Sequence, residues 1–282
     1  MSVLRARYNL DSVKEDIKSF FGDSAHRAFS YGSRATSCDN NSLFYKKQIQ
    51  VIFENYYPHD VAGKAVNALI ADGFLKEELR KIGIKKAITI IFVFNKSRRY
   101  VSTEIKERSN IVERFSDDEM NDGCGKYAES LFNHMFEKNG FTISARNANS
   151  FAGKRWRKSR KDLDFIIEKD GIGYGVEVKN TFDYIPQYEF EEKIEICNYL
   201  GLLPLFPVRF ASPQQYQMMK KSNGITLSFK TRIFPPGNRK LVTDIWNHFR
   251  LPVNIWYDIL QPIENGFLNF HNRNKVNRTL GN

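Results

Sequence analysis

Residues 162–180 constrain the fold of this chain more than any other stretch, because they have the pattern of two strands joined by a turn. Residues 165–167 form an apolar run, residues 169–171 (Lys-Asp-Gly) are typical of a turn, and residues 174–180 alternate between apolar and charged side chains. This pattern predicts two neighbouring strands of one sheet.

The second of these strands separates charged from apolar side chains. Val176 and Val178 point to one face and Glu177 and Lys179 to the other, because side chains alternate along a strand with a period of two. Asp164, at the start of the first strand, reaches the same place if the two strands pair. We therefore expect two carboxylates and one ammonium group close together on one face of a sheet.

This set of groups suits one kind of chemistry. Two carboxylates make a hard, oxygen-rich site for a divalent cation such as Mg²⁺, and such a cation acts as a Lewis acid and generates the nucleophile. A lysine beside them can orient or help to deprotonate a water and stabilise charge on a phosphate. Hydrolysis of a phosphodiester uses all three groups. The alternative is a surface strand with an ordinary ion pair, which contributes little.

The Glu-x-Lys pattern alone has little specificity, since the chain contains it three times, at residues 104–106, 177–179 and 191–193. The first copy follows an aromatic and basic segment, and the third lies in a helical pattern. Only the middle copy lies on an alternating strand that an Asp-apolar strand precedes.

The combination Asp164…Glu177-Val-Lys179 resembles the motif of the PD-(D/E)xK, or restriction-endonuclease-like, nuclease superfamily. An amphipathic helix over residues 125–141, ended by Gly140, precedes it and carries Glu129; a helix of that kind is also present in the superfamily, where its Glu often joins the metal site. The resemblance covers residues 117–215.

Two features qualify the match. Leu163 stands where the motif has a proline, although that proline is often missing in the family. Asp162, two residues before Asp164 and on the same face, is a rival for the role of metal ligand. Asp164 is preferred because the apolar strand starts directly after it.

The resemblance implies an α/β (α+β) fold with an αββαβ core, in which helices flank a mixed sheet. It implies that Asp164, Glu177 and Glu129 bind Mg²⁺, for which Mn²⁺ substitutes, and that Lys179 positions the attacking water. It also implies a homodimer, since most such enzymes cut both DNA strands as dimers.

Composition fits a nucleic-acid partner. The chain has 282 residues, a formal charge of +11 and 41% hydrophobic residues, which argues for a folded protein with a polyanionic partner. The three cysteines have neither metal-ligand nor disulfide spacing, which favours a reducing, cytoplasmic location. No apolar run is long enough to span a membrane, and no secretory signal is recognisable.

Residues 42–95 resemble a winged helix–turn–helix domain. A helix from Ser42 to about Glu54, a second helix from Asp60 to Asp72 and a strand over residues 87–94 are predicted, with a charged hairpin before the last strand. By this resemblance the major-groove candidates are Lys64 and Asn67, with His59 at the entry, and the wing candidates that contact the backbone are Arg80, Lys81, Lys85 and Lys86. The alternative is a packing or dimerisation domain.

A basic run follows the Glu129 helix at residues 154–161. Its six basic residues and one tryptophan stand directly before the candidate metal ligands, in a mixture that suits phosphate contacts and stacking on a base. The nucleic-acid candidates in this run are Lys154, Arg155, Trp156, Arg157, Lys158 and Arg160. The alternative is that the run forms a solvated face, as basic runs usually do.

The predicted division is an N-terminal helix and loop segment (1–41), a winged-helix-like domain (42–115), a nuclease domain (116–264) and a polar tail (265–282). Helices are also predicted over residues 188–200, 213–221 and 239–249, and strands over 203–210 and 225–234. Together these features predict a Mg²⁺-dependent DNA endonuclease, of the type II restriction class that recognises a specific duplex sequence. The alternatives are a structure-specific repair or recombination nuclease, a winged-helix DNA-binding module with a non-catalytic nuclease-like domain, and RNA as the substrate.

Overall fold

The computed structural model describes residues 8–22, 29–31, 34–36, 43–83 and 88–280. Its helices are α1 (Leu10–Gly22), α2 (Lys46–Ile52), α3 (His59–Ala71), α4 (Ser102–Ser116), α5 (Asp118–Lys138), α6 (Gln187–Leu200), α7 (Pro213–Lys221), α8 (Arg239–Phe249) and α9 (Gln261–Leu280). Its strands are β1 (Phe29–Tyr31), β2 (Arg34–Thr36), β3 (Leu43–Tyr45), β4 (Leu75–Ile82), β5 (Ile88–Asn95), β6 (Thr142–Ala148), β7 (Ser150–Phe151), β8 (Lys154–Arg155), β9 (Leu163–Lys169), β10 (Ile172–Val176), β11 (Leu203–Val208), β12 (Ile225–Ser228), β13 (Arg232–Phe234) and β14 (Val253–Ile255). The predicted mixed α/β class is confirmed.

The chain forms two compact units. The first unit contains the residues up to Asp117 and Lys240–Pro252, and the second contains Asp118–Arg239 and Val253–Asn282. The division after Asp117 lies two residues from the predicted boundary. The assignment of residues 240–252 to the second domain is wrong, because the buried side chains of α8 belong to the first unit: the Gln48 amide donates to the Phe249 carbonyl, and the Phe115 and Phe249 rings pack edge to face.

A five-stranded mixed sheet in the order β12-β11-β10-β9-β6 forms the centre of the second unit. β6, β9 and β10 are antiparallel neighbours, and β10, β11 and β12 are parallel neighbours. Helix α6 connects β10 to β11, as a parallel connection requires. The predicted order of helix, strand, strand, helix and strand is present as α5, β9, β10, α6 and β11. β6 is an additional strand that the prediction lacks.

Helices cover both faces of this sheet. Residues of α5 and α9, including Phe132, Phe136 and Phe267, form one apolar core with the sheet. Residues of α6 and α7, including Phe190 and Met219, form a second core on the opposite face. Because both faces are buried, the strands contain long apolar runs.

The β9–β10 turn fixes the register of the two strands that carry the candidate ligands. Asp170 and Gly171 have φ angles of 52° and 71°, and Lys169 pairs with Ile172. Two consecutive residues with positive φ form a two-residue hairpin turn for which Asp-Gly is favoured. The same register brings Phe165 opposite Val176, so that the residues before and after them, Asp164 and Glu177, lie side by side.

The first unit contains a three-stranded antiparallel sheet in the order β3-β5-β4, with α1, α2 and α3 packed around an apolar core. The helix of the predicted N-terminal segment and the predicted helix from Asp60 to Asp72 are present as α1 and α3, and β4 pairs antiparallel with β5. The predicted helix start at Ser42 is wrong, because residues 43–45 pair with β5 as a strand and the helix begins at Lys46. Helix α4, which follows this sheet in the chain, buries Ile105, Ile111, Val112 and Phe115.

The C-terminal segment is not the predicted polar tail. Helix α9 extends through Leu280, and it buries Phe267 and His271 against the second unit. His271 accepts or donates a 2.9 Å hydrogen bond with the Tyr174 hydroxyl, and its other ring nitrogen lies 3.3 Å from an Asp170 carboxylate oxygen. The polar surface of this helix hides only a few buried side chains, which is why its composition resembles that of a tail. In the described part of the chain, no helix has the length and apolar character needed to cross a bilayer.

Candidate active site

The candidate site lies where β10 ends, and the two faces of this strand have opposite character. Ile172, Tyr174, Val176 and Val178 all belong to the apolar core beneath α5 and α9. The alternate positions, Gly173, Gly175, Glu177 and Lys179, face the α6 side. The glycines let a helix approach closely, and the two charged residues follow at the end of the sheet.

Asp164 sits at the point where β9 and β10 separate. Its Oδ2 accepts a 2.6 Å hydrogen bond from the backbone N–H of Val178. Beyond Val176 the chain follows β11 instead, since Glu177 N–H donates to Leu205 O at 3.3 Å and Lys179 N–H donates to Pro207 O at 2.9 Å. A side-chain acceptor therefore replaces a backbone acceptor, and the Asp164 carboxylate is held beside the Glu177-Val-Lys179 segment.

Gly175 allows α6 to pack directly on the sheet. A Cβ at this position would lie 2.5 Å from the Cys197 Sγ and 2.7 Å from a Leu163 methyl carbon, so only glycine fits. One helical turn before Cys197 is Lys193, and two residues after Gly175 is Glu177. The close approach of helix and strand therefore brings Lys193 to Glu177.

Lys193 is the main site residue that the sequence prediction lacks. Its Nζ forms a 2.6 Å ion pair with Glu177 Oε2 and also donates to the backbone carbonyl of Asp162. Lys193 is the lysine of the third Glu-x-Lys copy, which a helical pattern appeared to exclude. The sequence feature that could have identified it is the position of this lysine on the inner face of a helix, between the apolar residues Phe190 and Cys197.

Glu129 approaches the site from α5. It is half-buried, and burial raises the pKa of its carboxyl, with a further contribution from the Asp164 charge. Arg146 on β6 opposes this rise, and its guanidinium carbon lies 5.8 Å from the centre of the Phe165 ring. Arg146 is exposed, lies within electrostatic reach of Glu129, and was not among the predicted site residues because β6 was not predicted.

The site as a whole attracts positive charge. Burial raises the pKa of Asp164, and burial together with the Asp164 charge raises the pKa of Glu177 to about 8. Burial alone would lower the pKa of Lys193, but Glu177, Asp164 and Asp162 outweigh it and raise that pKa. Burial is the largest cause of both carboxyl shifts, whereas the raised pKa of Lys193 reflects the carboxylates around it. Because these carboxylates outweigh the effect of burial on Lys193, their combined charge favours a cation at this place.

Hydrogen bonds of its own backbone and of the next residue hold Lys179 in place. Its backbone carbonyl accepts a 2.9 Å hydrogen bond from Arg209 N–H. The next residue, Asn180, is 3% exposed; its amide donates to Cys124 O and Ile233 O, and its oxygen accepts from Ile233 N–H, at 2.7–2.9 Å. The Lys179 charge lowers the pKa of both Asp164 and Glu177, so the ammonium lies within electrostatic reach of both carboxylates.

Asp162, just before β9, and Asp164, on β9, differ in their contacts. The Asp164 side chain is fixed against Val178, whereas Asp162 contributes its backbone carbonyl to Lys193. This geometry favours Asp164 over Asp162 as the carboxylate next to Glu177.

The donors present fit a hard divalent cation. No three His, Cys, Asp or Glu side chains gather into a metal-binding group within the residues that the structure describes. Asp164 and Glu177 provide two carboxylates, and Mg²⁺ is bound in many enzymes by one or two carboxylates together with waters and substrate phosphates. Glu129, on a separate element, lies within electrostatic reach of Asp164.

The basic run follows the length of α6. Lys154 Nζ lies 3.9 Å from the Cβ position of Gly201, at the C-terminal end of the helix, and Lys161 forms a 3.8 Å ion pair with Glu189 near its start. Lys158 pairs with Glu195. The run therefore reaches the carboxylates only at its downstream end, and acids of α6 compensate part of its charge. Its remaining arginines, Arg155, Arg157 and Arg160, are exposed.

The predicted stacking role of Trp156 is wrong. Its side chain is 2% exposed and belongs to the core beneath α6, and its ring N–H donates to the Ser159 hydroxyl at 3.1 Å. The Tyr199 ring, 48% exposed, packs edge-on against it with the ring centres 5.7 Å apart. The Trp156 ring therefore has no exposed face on which a base could stack.

The nucleic-acid candidates of the first unit have different positions. Lys64 and Asn67 are exposed on α3, where Lys64 pairs with Asp60 at 3.6 Å and Asn67 accepts a hydrogen bond from Lys46. His59 is buried against Glu54, 3.2 Å away, so its predicted place at a groove entry is wrong.

The wing candidates lie in and beyond β4. Arg80 pairs with Glu78, and Lys81 is exposed. Lys85 and Lys86 lie outside the described residues.

Comparisons with known proteins do not extend this description. No protein-family model matches the chain, and no curated protein matches it significantly.

Proposed function

We propose that this protein is a Mg²⁺-dependent endonuclease that hydrolyses phosphodiester bonds of duplex DNA. The observation that carries the proposal is the arrangement of Asp164 and Glu177 on adjacent strands, with Lys179 within electrostatic reach of both. These are the residues of the motif, and they converge although thirteen positions of chain, a turn and two strands separate the two carboxylates in sequence.

Each residue has a defined task in this proposal. Asp164 and Glu177 would hold Mg²⁺, with Glu129 assisting through water or a second ion; Mn²⁺ would substitute. When bound, the cation supplies Lewis-acid chemistry and a nucleophile at neutral pH. Lys179 orients the attacking water and stabilises negative charge on the phosphate. The Asn180 hydrogen bonds keep Lys179 in place, and the packing of α6 on the sheet buries Glu177.

The order of elements supports the finer fold assignments. The sequence α5, β9, β10, α6, β11 agrees with the restriction-endonuclease-like core. In the first unit, the order α1, β3, α2, α3, β4, β5 with the sheet β3-β5-β4 agrees with a winged helix. We propose that α3 reads duplex DNA through Lys64 and Asn67, and that the β4–β5 hairpin contacts the backbone.

A separate reading unit favours the type II restriction class over a nuclease without sequence preference. An enzyme of that class cuts both strands, and we propose a homodimer with one site for each strand.

The test is to incubate the purified protein with long duplex DNA and Mg²⁺, beside EDTA and Lys179→Ala controls. We expect discrete fragments that disappear in both controls. A smear in place of bands would contradict sequence recognition but keep the nuclease, and Lys179→Ala protein that cuts as fast as wild type would end the proposal.

Two further results would redirect the proposal. Tight, salt-dependent binding without cleavage would identify a DNA-binding module, or a nuclease for a special substrate such as a junction. A parallel digest of duplex DNA, single-stranded DNA and RNA decides the nucleic-acid class.

A further inference from the structure

Lys193 is a cation on the buried face of α6. The residues beside it on α6, including Phe190, Ile194 and Cys197, are buried, and the Lys193 residue is itself only 5% exposed. A buried ammonium is strongly unfavourable unless acceptors surround it. Its position therefore depends on the two acceptors that it contacts.

Those acceptors belong to the two chain segments that carry the candidate ligands. One is Glu177 Oε2, 2.6 Å from Lys193 Nζ, and the other is the backbone carbonyl of Asp162, two residues before Asp164. Lys193 thus links the start of β9 to the end of β10 at the place where these strands separate. Asp164 and Val178 form the other link between the same segments.

We propose that Lys193 is a positioning residue of the active site, which holds Glu177 and the chain before Asp164 in the arrangement that binds the divalent cation. The role rests on the proposed function and adds to it a residue outside the motif. Lys193 stays in place when the cation binds, because its departure would break both bonds and leave a buried ammonium without an acceptor.

The two lysines of the site therefore have different tasks. Lys179 is half-buried at the end of the sheet and acts on the water and the phosphate, whereas Lys193 is enclosed and acts through Glu177. Without the Lys193 ammonium, Glu177 loses the contact that orients it, and once both carboxyls are ionised the cation alone must offset the repulsion between Asp164 and Glu177. Binding of the cation would then have to reorganise the site.

Direct measurement of Mn²⁺ binding tests this role without a cleavage assay. Full-length wild-type, Lys193→Met, Lys193→Gln, Asp164→Asn and Lys220→Met proteins are titrated with Mn²⁺ and followed by electron paramagnetic resonance, with thermal melts in parallel. Met keeps the length of the side chain without its charge, and Gln keeps a hydrogen-bond donor. Lys220 is an exposed lysine on α7 and serves as the matched control.

We expect Lys193→Met to weaken Mn²⁺ binding about 10–100-fold, the range for removal of a residue that orients a metal ligand. Lys193→Gln should weaken it less, and Lys220→Met should bind as wild type. A purely structural role would lower the melting temperature and leave the Mn²⁺ affinity of the folded protein unchanged; that result overturns the inference. If Lys193→Met does not fold, wild-type affinity in Lys193→Gln overturns it.

Failure of the proposed function has a different signature. Wild-type protein that binds no Mn²⁺, or Asp164→Asn protein that binds Mn²⁺ as wild type does, overturns the metal site itself, and the role of Lys193 with it. Loss of binding in Asp164→Asn with full binding in both Lys193 variants overturns the role of Lys193 alone.

Discussion

Two groups of charged side chains in the second unit lie beside the same helix, α6, but one group is enclosed and the other is exposed. Around Glu177 the charges are enclosed, and Asp164, Glu177 and Lys193 each have a hydrogen-bonded partner. Along residues 154–161 the charges are exposed, and only Lys158 and Lys161 pair with acids of α6. Burial, more than residue type, therefore decides whether a charge can be positioned for chemistry or only contributes to a surface potential.

The largest expected difference between the two groups is in catalysis. Lys179→Ala should lower the cleavage rate on the order of 10³-fold, within the range for removal of a group that handles protons in the reaction. Single-turnover cleavage of duplex DNA measures it, and DNA affinity should stay near that of wild type. Lys220→Ala, at an exposed position of α7, should cut as wild type does. A loss confined to DNA affinity would place Lys179 with the surface charges instead.

Trp156 is the one enclosed side chain of the exposed run, so its replacement should affect the stability of the fold. Trp156→Ala should lower the free energy of unfolding by roughly 3 kcal/mol or more, as for large buried aromatic residues. Chemical denaturation measures the change. Tyr199→Ala, which removes its half-exposed neighbour, should have a clearly smaller effect. Weaker DNA binding with unchanged stability would restore the stacking role.

The enclosed group should also respond to pH. With a pKa of about 8, Glu177 is protonated in the metal-free protein below that pH, so a cation must displace the proton. Mn²⁺ affinity should therefore rise with pH by up to about ten-fold per unit below pH 8 and level off above it. The metal-free protein should show the opposite trend in stability. Its folded state binds the proton more tightly than the unfolded state, so the free energy of unfolding falls as pH rises from about 4.5 to 8.

Isothermal titrations between pH 6 and 9 measure the metal affinity, and denaturation in EDTA measures the stability. A Mn²⁺ affinity that does not change over this pH range would mean that Glu177 is ionised throughout. The charges around Glu177 would then offset the effect of burial on its pKa.

The smallest effects belong to the exposed run. Replacing Arg155, Arg157 or Arg160 singly by Ala should weaken DNA binding a few-fold and reduce the slope of log affinity against log salt by about one, as for a phosphate contact. Lys158→Ala should change it less, because Glu195 already pairs with that ammonium. Fluorescence anisotropy at several salt concentrations measures both. A salt slope equal to that of wild type in all three arginine variants would leave the run as a solvated face.

Much of the fold was predictable where a pattern is local and repeated. The alternation after Gly171, the Asp-Gly turn and the apolar helix stripes predicted β9, β10, α3, α6 and α7. Predictions failed where tertiary contacts outweigh composition. The charged sequence of α4 conceals four buried apolar residues, and the polar sequence of α9 conceals Phe267 and His271. Strand β6 has little alternation of its own and is defined by its pairing with β9.

The sequence by itself determined which face of β10 carries charge, because a period of two leaves Glu177 and Lys179 no other arrangement relative to Val176 and Val178. The hairpin register, and with it the approach of Asp164 to Glu177, also follows from the local turn. Only the tertiary structure decided that Lys193 joins them, that Trp156 is enclosed and that the basic run follows α6. These features depend on how closely a helix packs on Gly175, a distance between segments that no local pattern encodes.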